Sequence, residues 1–572
     1  MPSYQPLRKS IVWYWRMGLL LALMLAVACG ASATAVPTED TAPPATGDAV
    51  PTARPADTAP PSGVITPTGK VVLATSDWGN ELFTDHDVRG EGGVYQRLLH
   101  DFFIQGREGK EMISSLAESW SFTPDGLTWT FNVRQGVEFH NGTIMTAADV
   151  AFSLEEQFGS RSEEEAVSPT VRALARSTGP FEVSGANSVS VTTIEPLMFL
   201  SFNLSEMGPD PSGTIFSKSY RESVGRDGYN NDPNPGATGP WELVRHDKGS
   251  LMRFDRFNNY WDMENRNHRF GTLDIFMIPE LSTRVAALRA GEVDMIEANL
   301  EVRDQIEGAG GKIIFAPEAV YLWMITEGCF MDIAVIPCTK GVRQALNYAI
   351  DKEMIANSLY GAEMAETKGW AYVSPSALGY EADLDSWPFD PAKAQQLLAE
   401  ADCAGASCFP DPYVLYTWEA SELPFVPEAA QLICDMWETN LGLNCEVTVG
   451  DSVSIKDKMH GFEIPGNYVL RPNEDRFDGG SITYGHYGEE QSYVAIDPDL
   501  RQLTRTNLGL IGTMEERHDA YHEVYAAARE ENYEWSIFSA NTPWGISSNI
   551  KDWKPWPLLP YASALWTIEM AE

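Results

Sequence analysis

The sequence contains few residues whose types and spacing suggest catalysis. Of its nine histidines, His518 and His522 are four residues apart, which would place them on one face of a helix. A zinc protease would need a glutamate directly after the first histidine, and Asp519 stands there instead. There is also no Gly-x-Ser-x-Gly nucleophile motif and no glycine-rich phosphate loop with lysine. The sequence therefore predicts neither an enzyme nor a metal site, and we interpret the two histidines as part of an exposed helix face.

Aromatic side chains at the expected edges of domains are better candidates for a binding site. Aromatic rings offer a large contact area at little entropy cost, and they stack on sugars, prolines or peptide planes. Ordinary core packing is the alternative for each of them. The candidates are Trp78, Tyr321, Trp323, Trp370, Tyr416, Trp418, Tyr468 and Trp544.

Six of the seven cysteines lie in the second half of the chain. We expect them to pair in sequential order, because each neighbouring pair brackets a short turn-like segment. Free buried thiols and metal binding are the alternatives, although the four residues between Cys403 and Cys408 do not match the tight spacing of a zinc site. The expected bonds are Cys329–Cys338, Cys403–Cys408 and Cys434–Cys445.

Length and composition limit the classes of protein to which this chain can belong. The chain has 572 residues, of which 44% are hydrophobic and 17 are tryptophan, so it can build several large cores. There are 81 acidic and 41 basic residues, and the formal net charge is −40. Such a chain is repelled by nucleic acid and by anionic lipid. A wholly disordered protein and a small disulfide scaffold are both excluded.

The first residues resemble a bacterial export signal. A basic start is followed by the apolar run 17–28 and then by Cys29, as in a lipoprotein signal, although Leu25 lies one place further from the cysteine than usual. We expect residues 1–28 to be a signal peptide and Cys29 to be lipidated; ordinary cleavage after Ala28 or Ala33 is the alternative. Residues 29–69 are rich in Pro, Thr and Ala and predict a disordered tether. No other apolar run approaches the roughly 18 residues of a membrane span.

The rest of the chain alternates between strand and helix patterns. Residues 70–75 form a short apolar run, and residues 127–134 alternate as a half-buried strand does. Helix starts are predicted at Thr146, at Asp390 before a proline, and at Thr513, whose partner in a capping box would be Glu516. This mixture predicts an α/β protein without a fixed-period repeat.

Several segments together resemble one family. In chain order they read like the signature of the family 5 extracellular solute-binding proteins, the peptide and nickel binders of ATP-binding-cassette (ABC) importers. The segments are 116–120 (LAESW), 124–131 (PDGLTWTF), 136–142 (GVEFHNG), 237–241 (ATGPW), 258–261 (NNYW), 288–294 (LRAGEVD) and 342–353 (VRQALNYAIDKE).

The resemblance implies a two-lobed, periplasmic-binding-protein-like α/β fold of type II, with an extra inserted subdomain and a hinge between the lobes. Lobe 1 would comprise residues 70–322, with the subdomain at about 112–225. Lobe 2 would span 323–534, and residues 535–572 would return to lobe 1. The crossing strands would contain residues 321–324 and 541–544.

The resemblance also implies partners and location. The protein would be a monomer that delivers a small solute to ABC permease subunits, with no cofactor, no nucleic acid and no membrane contact beyond its lipid anchor. It would be extracytoplasmic and anchored to the cell membrane. A free periplasmic or secreted protein is the alternative.

The segment 466–475 falls where the family often carries W-x-x-D-Y-P-D-P. There Tyr468 replaces the tryptophan and Arg471 replaces the aspartate that receives a peptide's α-ammonium, while Asp475 could serve if the loop slips. An arginine repels an ammonium, but it can hold a carboxylate or sugar hydroxyls. The resemblance implies that the segments of Trp323 and Tyr468 face the cleft.

An oligopeptide is therefore the expected ligand, an oligosaccharide is the nearest alternative, and a secreted hydrolase is the alternative of another class. The expected ligand-binding residues are Trp78, Tyr321, Trp323, Trp418, Tyr468, Arg471, Asp475 and Trp544.

Overall fold

The computed structural model describes residues 69–79, 81–83, 93–108, 111–158, 177–207, 213–266, 268–329, 338–420, 423–474, 476–489, 492 and 494–571. The predicted signal peptide, Cys29, the tether up to residue 68 and Asp475 lie outside these residues. Within them, every helix is too short or too polar to cross a membrane.

The strands are mostly short, with two long exceptions, β12 and β17. They are β1 Lys70–Thr75, β2 Ile104–Glu108, β3 Glu111–Ser114, β4 Ala117–Phe122, β5 Thr128–Val133, β6 Glu182–Gly185, β7 Ser188–Thr192, β8 Trp241–Asp247, β9 Leu251–Arg256, β10 Thr272–Met277, β11 Met295–Glu297, β12 Lys312–Thr326, β13 Ala365–Glu366, β14 Tyr413–Trp418, β15 Cys445–Gly450, β16 Tyr468–Glu474, β17 Glu534–Ile546, β18 Ile550–Asp552 and β19 Glu569–Met570.

The α-helices alternate with these strands. They are α1 Gly93–Leu99, α2 Ala147–Phe158, α3 Leu200–Asn203, α4 Lys218–Asn231, α5 Leu281–Ala290, α6 Arg303–Glu307, α7 Lys340–Tyr348, α8 Lys352–Ile355, α9 Pro391–Glu400, α10 Val426–Leu441, α11 Ser452–His460, α12 Gly480–Thr483, α13 Pro498–Leu508 and α14 Met514–Glu531. Single π-helical turns follow α8 and α12, at Ala356–Tyr360 and Tyr484–Gly488.

The predicted helix starts are confirmed by their caps. Asp390 accepts a hydrogen bond from the Lys393 N–H, with proline at the first helical position of α9. Thr513 and Glu516 form both bonds of a capping box at the start of α14. These signals were readable from sequence because each one involves residues within a single turn.

The largest sheet of the described residues has the order β15-β14-β16-β12-β17-β11-β1-β10-β9-β8, and β13 also pairs with β17. At its centre β12 and β17 run antiparallel over most of their lengths. The predicted crossing segments 321–324 and 541–544 lie in these two strands. β16 pairs with β12 on one side, whereas β11 pairs with β17 on the other, so the two long strands link the two halves of the sheet.

A separate four-stranded sheet, in the order β4-β5-β7-β6, is built from residues 117–192. Its central strand β5 alternates between buried and less buried positions, as the sequence predicted. Trp129 and Phe131 lie on this strand and are buried in the main apolar core. This sheet therefore shares one continuous core with the rest of the described chain.

The six cysteines of the described residues stand in sequential pairs. The Cα–Cα distances are 5.2 Å for Cys329–Cys338, 5.0 Å for Cys403–Cys408 and 5.2 Å for Cys434–Cys445. Such distances suit disulfide bonds. The last pair joins α10 to β15 across the turn that connects them. The arrangement is the one expected from sequence, and the described residues contain no cluster of side chains that could hold a metal ion.

Candidate ligand-binding site

The site is organised by the pairing of β12 with β16. In this register Trp323 lies opposite Arg471, and Tyr321 lies opposite Asn473. Alternate residues of a strand point to the same face of a sheet, so all four side chains share one face. The Asn473 side-chain amide donates to the Tyr321 hydroxyl at 3.0 Å. The pairing of two strands that are about 150 residues apart in the sequence thus assembles one continuous surface.

Arg471 is flanked by two indole rings. Its guanidinium carbon lies 5.3 Å from the ring centre of Trp323 and 5.5 Å from that of Trp418, at the end of β14. The Lys456 ammonium lies 5.3 Å from the same Trp418 ring. Cations at these distances are attracted by the electron-rich faces of indoles. Arg471 is half-buried, whereas both tryptophans are buried.

Two further rings surround Trp323. The imidazole of His486 stacks on the indole with centroids 5.6 Å apart and planes 9° apart. Tyr372 meets Trp323 edge-on at 6.2 Å, and its hydroxyl lies 2.8 Å from the Thr483 hydroxyl. We call Arg471, Trp323, Trp418, Tyr321, Tyr372 and His486 the Arg471 cluster.

A buried carboxylate lies behind the cluster. Glu534, the first residue of β17, receives a hydrogen bond of 2.6 Å from the Tyr487 hydroxyl, and His486 Nδ1 lies 2.9 Å from the same oxygen. Burial, together with the nearby Glu534 charge, raises the pKa of Tyr487 well above its ordinary value, so this phenol stays protonated as the donor. The other oxygen of Glu534, Oε2, and the indole nitrogen of Trp323 are buried and have no hydrogen-bond partner among the described residues.

Sequence reasoning predicted Tyr321, Trp323, Trp418 and Arg471, and the structure brings these four together. It missed Tyr372, His486, Lys456 and Glu534. No local pattern singled out these residues, because each reaches the cluster from a different element. The only signal was the aromatic content of the segment 484–488 (YGHYG), which contains His486.

Tyr468 does not share this surface, which corrects the expectation that it faces the cleft. It is three residues from Arg471 on the same strand, so its side chain points to the opposite face. There its ring packs on Trp535 at 4.6 Å, and its hydroxyl donates to the Asn532 carbonyl at 3.4 Å. Tyr468 is fully buried and belongs to the core.

Trp544 is also removed from the candidate site. It pairs with Ile314 on β12, nine residues from Trp323, which is about 30 Å along a strand. Its indole is fully buried and meets Trp553 edge-on at 5.7 Å. Trp544 packs in the core at the far end of the crossing strands.

Trp78 is held in another part of the molecule. Its indole N–H donates to Glu81 at 2.8 Å, and the other Glu81 oxygen lies 3.0 Å from His246 Nε2 on β8. Burial raises the pKa of Glu81, but hydrogen bonds from the Gly249 N–H, Trp78 and His246 outweigh it and bring the pKa below its ordinary value. These contacts tie Trp78, which follows the interior strand β1, to the edge strand β8 and give it a structural role.

The two spaced histidines are not on an exposed helix face, which corrects that interpretation. Both side chains lie on α14 and are mostly buried. His522 Nδ1 lies 3.3 Å from the Gly379 carbonyl, and its Nε2 lies 3.3 Å from Asp383. His518 Nε2 lies 4.0 Å from Glu381. The helix packs against the segment 379–383. The hydrophobic periodicity of the sequence does not reveal such a tertiary contact.

A second set of polar contacts joins segments that are 300 residues apart. Arg505 Nε donates to Glu195 at 2.6 Å, and the Tyr484 hydroxyl donates to the other oxygen of that carboxylate. The Tyr484 hydroxyl also lies 3.3 Å from the Ser177 hydroxyl. Since Tyr484 begins the turn that contains His486, these contacts connect residues 177–195 to the edge of the Arg471 cluster.

The sequence matches the family model described as bacterial extracellular solute-binding proteins, family 5 middle, over residues 111–477. Heme-binding protein A of Haemophilus influenzae is 30% identical over 333 residues, which are 54% of this chain and 56% of that protein. The dipeptide-binding protein of Escherichia coli K12 is 27% identical over 339 residues, 56% of this chain and 60% of its own length. The chain thus matches little more than half the length of either relative.

The fold also matches that of a solved structure. An ABC transporter-associated periplasmic binding protein from Helicobacter pylori, in complex with the peptide STSA, superposes with a TM-score of 0.71. The identity is 19%, and the match covers 88% of this chain and 98% of that one. This confirms the expected two-lobed, periplasmic-binding-protein-like α/β fold. With more than half of its length matched by the family model, the chain belongs to the family 5 bacterial extracellular solute-binding proteins.

Proposed function

We propose that this protein is the solute-binding subunit of an ABC importer and that it captures an oligopeptide-like solute carrying a carboxylate. One observation carries the choice of ligand: the half-buried guanidinium of Arg471 lies between the indoles of Trp323 and Trp418. The peptide-binding relatives support the same class of solute.

The chemistry of the cluster favours an anionic group at residue 471. A planar guanidinium donates two parallel hydrogen bonds to a carboxylate, and the flanking apolar rings lower the local dielectric, which strengthens that attraction. A peptide's α-ammonium would be repelled there. The aromatic faces supply contact area for apolar or planar parts of the solute.

The solute would be enclosed by closure of two lobes, divided at residues 322 and 534 as the sequence suggested, with the inserted subdomain at about 112–225. The polar contacts of Glu195 with Arg505 and of Ser177 with Tyr484 join residues of the two proposed lobes. Contacts of this kind would favour the closed form once ligand is bound, because a ligand shifts the equilibrium by its differential contacts with the two forms.

Export and anchoring complete the proposal. Residues 1–28 would be removed, Cys29 would carry the lipid, and residues 29–69 would tether a monomeric binding protein beside its permease. The three cysteine pairs would be oxidised outside the cytoplasm. Iodoacetamide labelling of the denatured, unreduced protein should then modify none of the six cysteines after residue 300.

The ligand assignment is tested by mass spectrometry of solutes that co-purify with the native protein, followed by calorimetry. With a carboxylate ligand, Arg471→Ala should cost on the order of 2–5 kcal/mol of binding free energy, and the wild-type affinity should fall with added salt. Arg134→Ala is a matched control, because its guanidinium lies 4.6 Å from the ring of Trp261, outside the cluster. Unchanged affinity in both Arg471→Ala and Trp323→Ala would refute the site.

An oligosaccharide is the second candidate, favoured by the indole faces on either side of Arg471. In that case Arg471→Ala should cost only about 1 kcal/mol and be insensitive to salt. Trp418→Ala or Trp323→Ala should then weaken binding more than Arg471→Ala does.

A further inference from the structure

The π-helical turn Tyr484–Gly488 is buried and has contacts on two sides. On one side, the imidazole of His486 stacks on the Trp323 indole, with ring centroids 5.6 Å apart. On the other side, Tyr484 contacts residues of the inserted subdomain proposed at about 112–225. Residues two apart in a helical turn do not face the same way, so these two side chains reach different neighbours. The turn therefore lies between the subdomain and the proposed binding surface.

Tyr484 is bound to the proposed subdomain by its hydroxyl and by its ring. The hydroxyl donates to Glu195 and lies 3.3 Å from the Ser177 hydroxyl. The ring packs on Phe199 with centroids 5.8 Å apart. Both rings are almost fully buried, at 4% exposure for Tyr484 and 1% for Phe199. Polar and apolar contacts together therefore hold this side chain in one position.

Gly488 leaves room for the Tyr484 ring. A Cβ atom at residue 488 would come within 2.7 Å of Tyr484 Cδ2, which is closer than two nonbonded carbons approach. The Glu489 N–H donates to the Tyr484 carbonyl at 3.2 Å and closes the turn. Single π-turns of this kind are rare and occur frequently at functional sites. The glycine thus allows the turn to fold back over the tyrosine.

The turn is also tied to the Arg471 cluster. Thr483, directly before the turn, has its hydroxyl 2.8 Å from that of Tyr372. Tyr372 meets the Trp323 indole edge-on at 6.2 Å, and His486 stacks on its face. A displacement of the turn therefore moves both rings that pack on this indole, which itself lies beside the guanidinium of Arg471.

We propose that Tyr484 is a positioning residue for the Arg471 cluster: by holding the turn against the subdomain, it keeps His486 on Trp323 and the indole beside Arg471. The surface is then complete only while residues 177–199 pack against the turn. The effect on solute binding rests on the proposed function, in which Trp323 and Arg471 contact the solute. A preorganised surface binds more tightly because less ordering is needed when the solute arrives.

The first experiment needs no solute. Trp323 is 2% exposed, so acrylamide should quench its emission poorly in the wild type. The Trp323 emission is obtained by subtracting the Trp323→Phe variant in each background. In Tyr484→Ala the Stern–Volmer constant of Trp323 should rise about fivefold, because the turn that covers the indole is released. The matched control is Tyr348→Ala, whose half-buried ring stacks on Trp387 at 4.8 Å, outside the cluster; there the constant should stay unchanged.

An unchanged constant in Tyr484→Ala, or a wild-type Trp323 that is quenched as readily as free tryptophan, would overturn the proposal. If Tyr484→Ala fails to fold, Gly488→Ala serves in its place, because the added methyl group displaces the Tyr484 ring without removing an atom from the core. The same rise is then expected, and its absence overturns the proposal equally.

The role of the subdomain is tested from the other side of the contact. Glu195→Ala removes the acceptor of the Tyr484 hydroxyl and alters no residue of the turn. It should raise the quenching of Trp323 about twofold, with no further rise when it is added to Tyr484→Ala, because changes that remove one shared contact are not additive. No effect of Glu195→Ala, or fully additive effects, would show that the turn is not held from the subdomain.

The second experiment uses a tryptic digest of casein as the probe. Peptides retained by the immobilised protein are quantified for the wild type, Tyr484→Ala and Tyr348→Ala. Retention should fall about tenfold in Tyr484→Ala and less than about twofold in Tyr348→Ala, because only the first loses a preorganised surface. Equal retention in the wild type and Tyr484→Ala would contradict the positioning role. If even the wild type retains nothing, the peptide assignment fails, while the quenching of Trp323 still decides the role of Tyr484.

Discussion

Two arginines of this molecule are each packed on two tryptophans, yet their surroundings differ. The guanidinium carbon of Arg266 lies 4.5 Å from the ring of Trp566 and 5.8 Å from that of Trp556. Its Nη2 is 2.5 Å from Glu206, and both side chains of this ion pair are buried. Arg471 has the corresponding indole contacts at 5.3 and 5.5 Å, but it is half-buried.

The difference shows that the same set of side chains occurs in two kinds of surroundings. At Arg266 the positive charge is neutralised by Glu206, which joins the C-terminal segment to residue 206, and the two charged side chains are only 7% and 4% exposed. Arg471 is half-buried, so part of its side chain remains accessible to solvent. A cation between two indoles is therefore not by itself evidence of a binding site, because the exposure of the side chain differs from one such cation to the other.

The largest expected contrast is in stability. Arg266→Ala should lower the free energy of unfolding by about 3–5 kcal/mol, because it leaves Glu206 buried without its partner. Arg471→Ala should have the smaller effect, about 1 kcal/mol, because the side chain is only half-buried and solvent screens its interactions. Urea unfolding followed by circular dichroism measures both. Equal losses in the two variants would show that the two arginines do not differ in their contribution to stability.

A second contrast is in the pH dependence of stability. Burial raises the pKa of Asp101 to about 7, although Arg266 and hydrogen bonds from Trp261 and Tyr260 act against it. The unfolded chain releases this proton near pH 4, whereas the folded chain keeps it until about pH 7. The free energy of unfolding should therefore fall by about 2–4 kcal/mol as pH rises through this range.

Asp101→Asn should remove that part of the pH dependence, because an amide does not titrate. Urea midpoints at pH 4.5 and pH 7 provide the comparison, with Asp457→Asn, at an exposed helical position, as the control. A slope that is the same in Asp101→Asn as in the wild type would show that this carboxyl is not the source.

The smallest effect concerns the contact of Glu195 with Arg505, on the Arg471 side of the molecule. The two side chains are 14% and 35% exposed, so Glu195→Gln should weaken the closed form by only about 1 kcal/mol. Small-angle scattering of the ligand-free protein should show a larger radius of gyration. Glu569→Gln, which breaks the exposed pair with Lys551, should leave the radius unchanged.

Much of the local structure was determined by the sequence itself. The strand at 70–75, the proline-led helix after Asp390 and the capping box at Thr513 were all predicted and are present. The opposite facing of Tyr468 and Arg471 was also implicit, because residues three apart on a strand point to different faces. Each of these signals involves only neighbours in the chain, whose conformational preferences act before any tertiary contact forms.

Only the tertiary structure decided which distant residues share a surface. Trp323, Trp418 and Arg471 come from three strands, and they meet because β12, β16 and β14 pair in one register. His486 joins them from the turn Tyr484–Gly488 after α12. The separate pairing of β17 with β12 places Trp544 about 30 Å from Trp323. A shift of one residue would move every side chain of a strand to the other face, and the packing of many buried residues excludes that shift. No short stretch of sequence contains this information, because the free energy that selects the register is summed over the whole core.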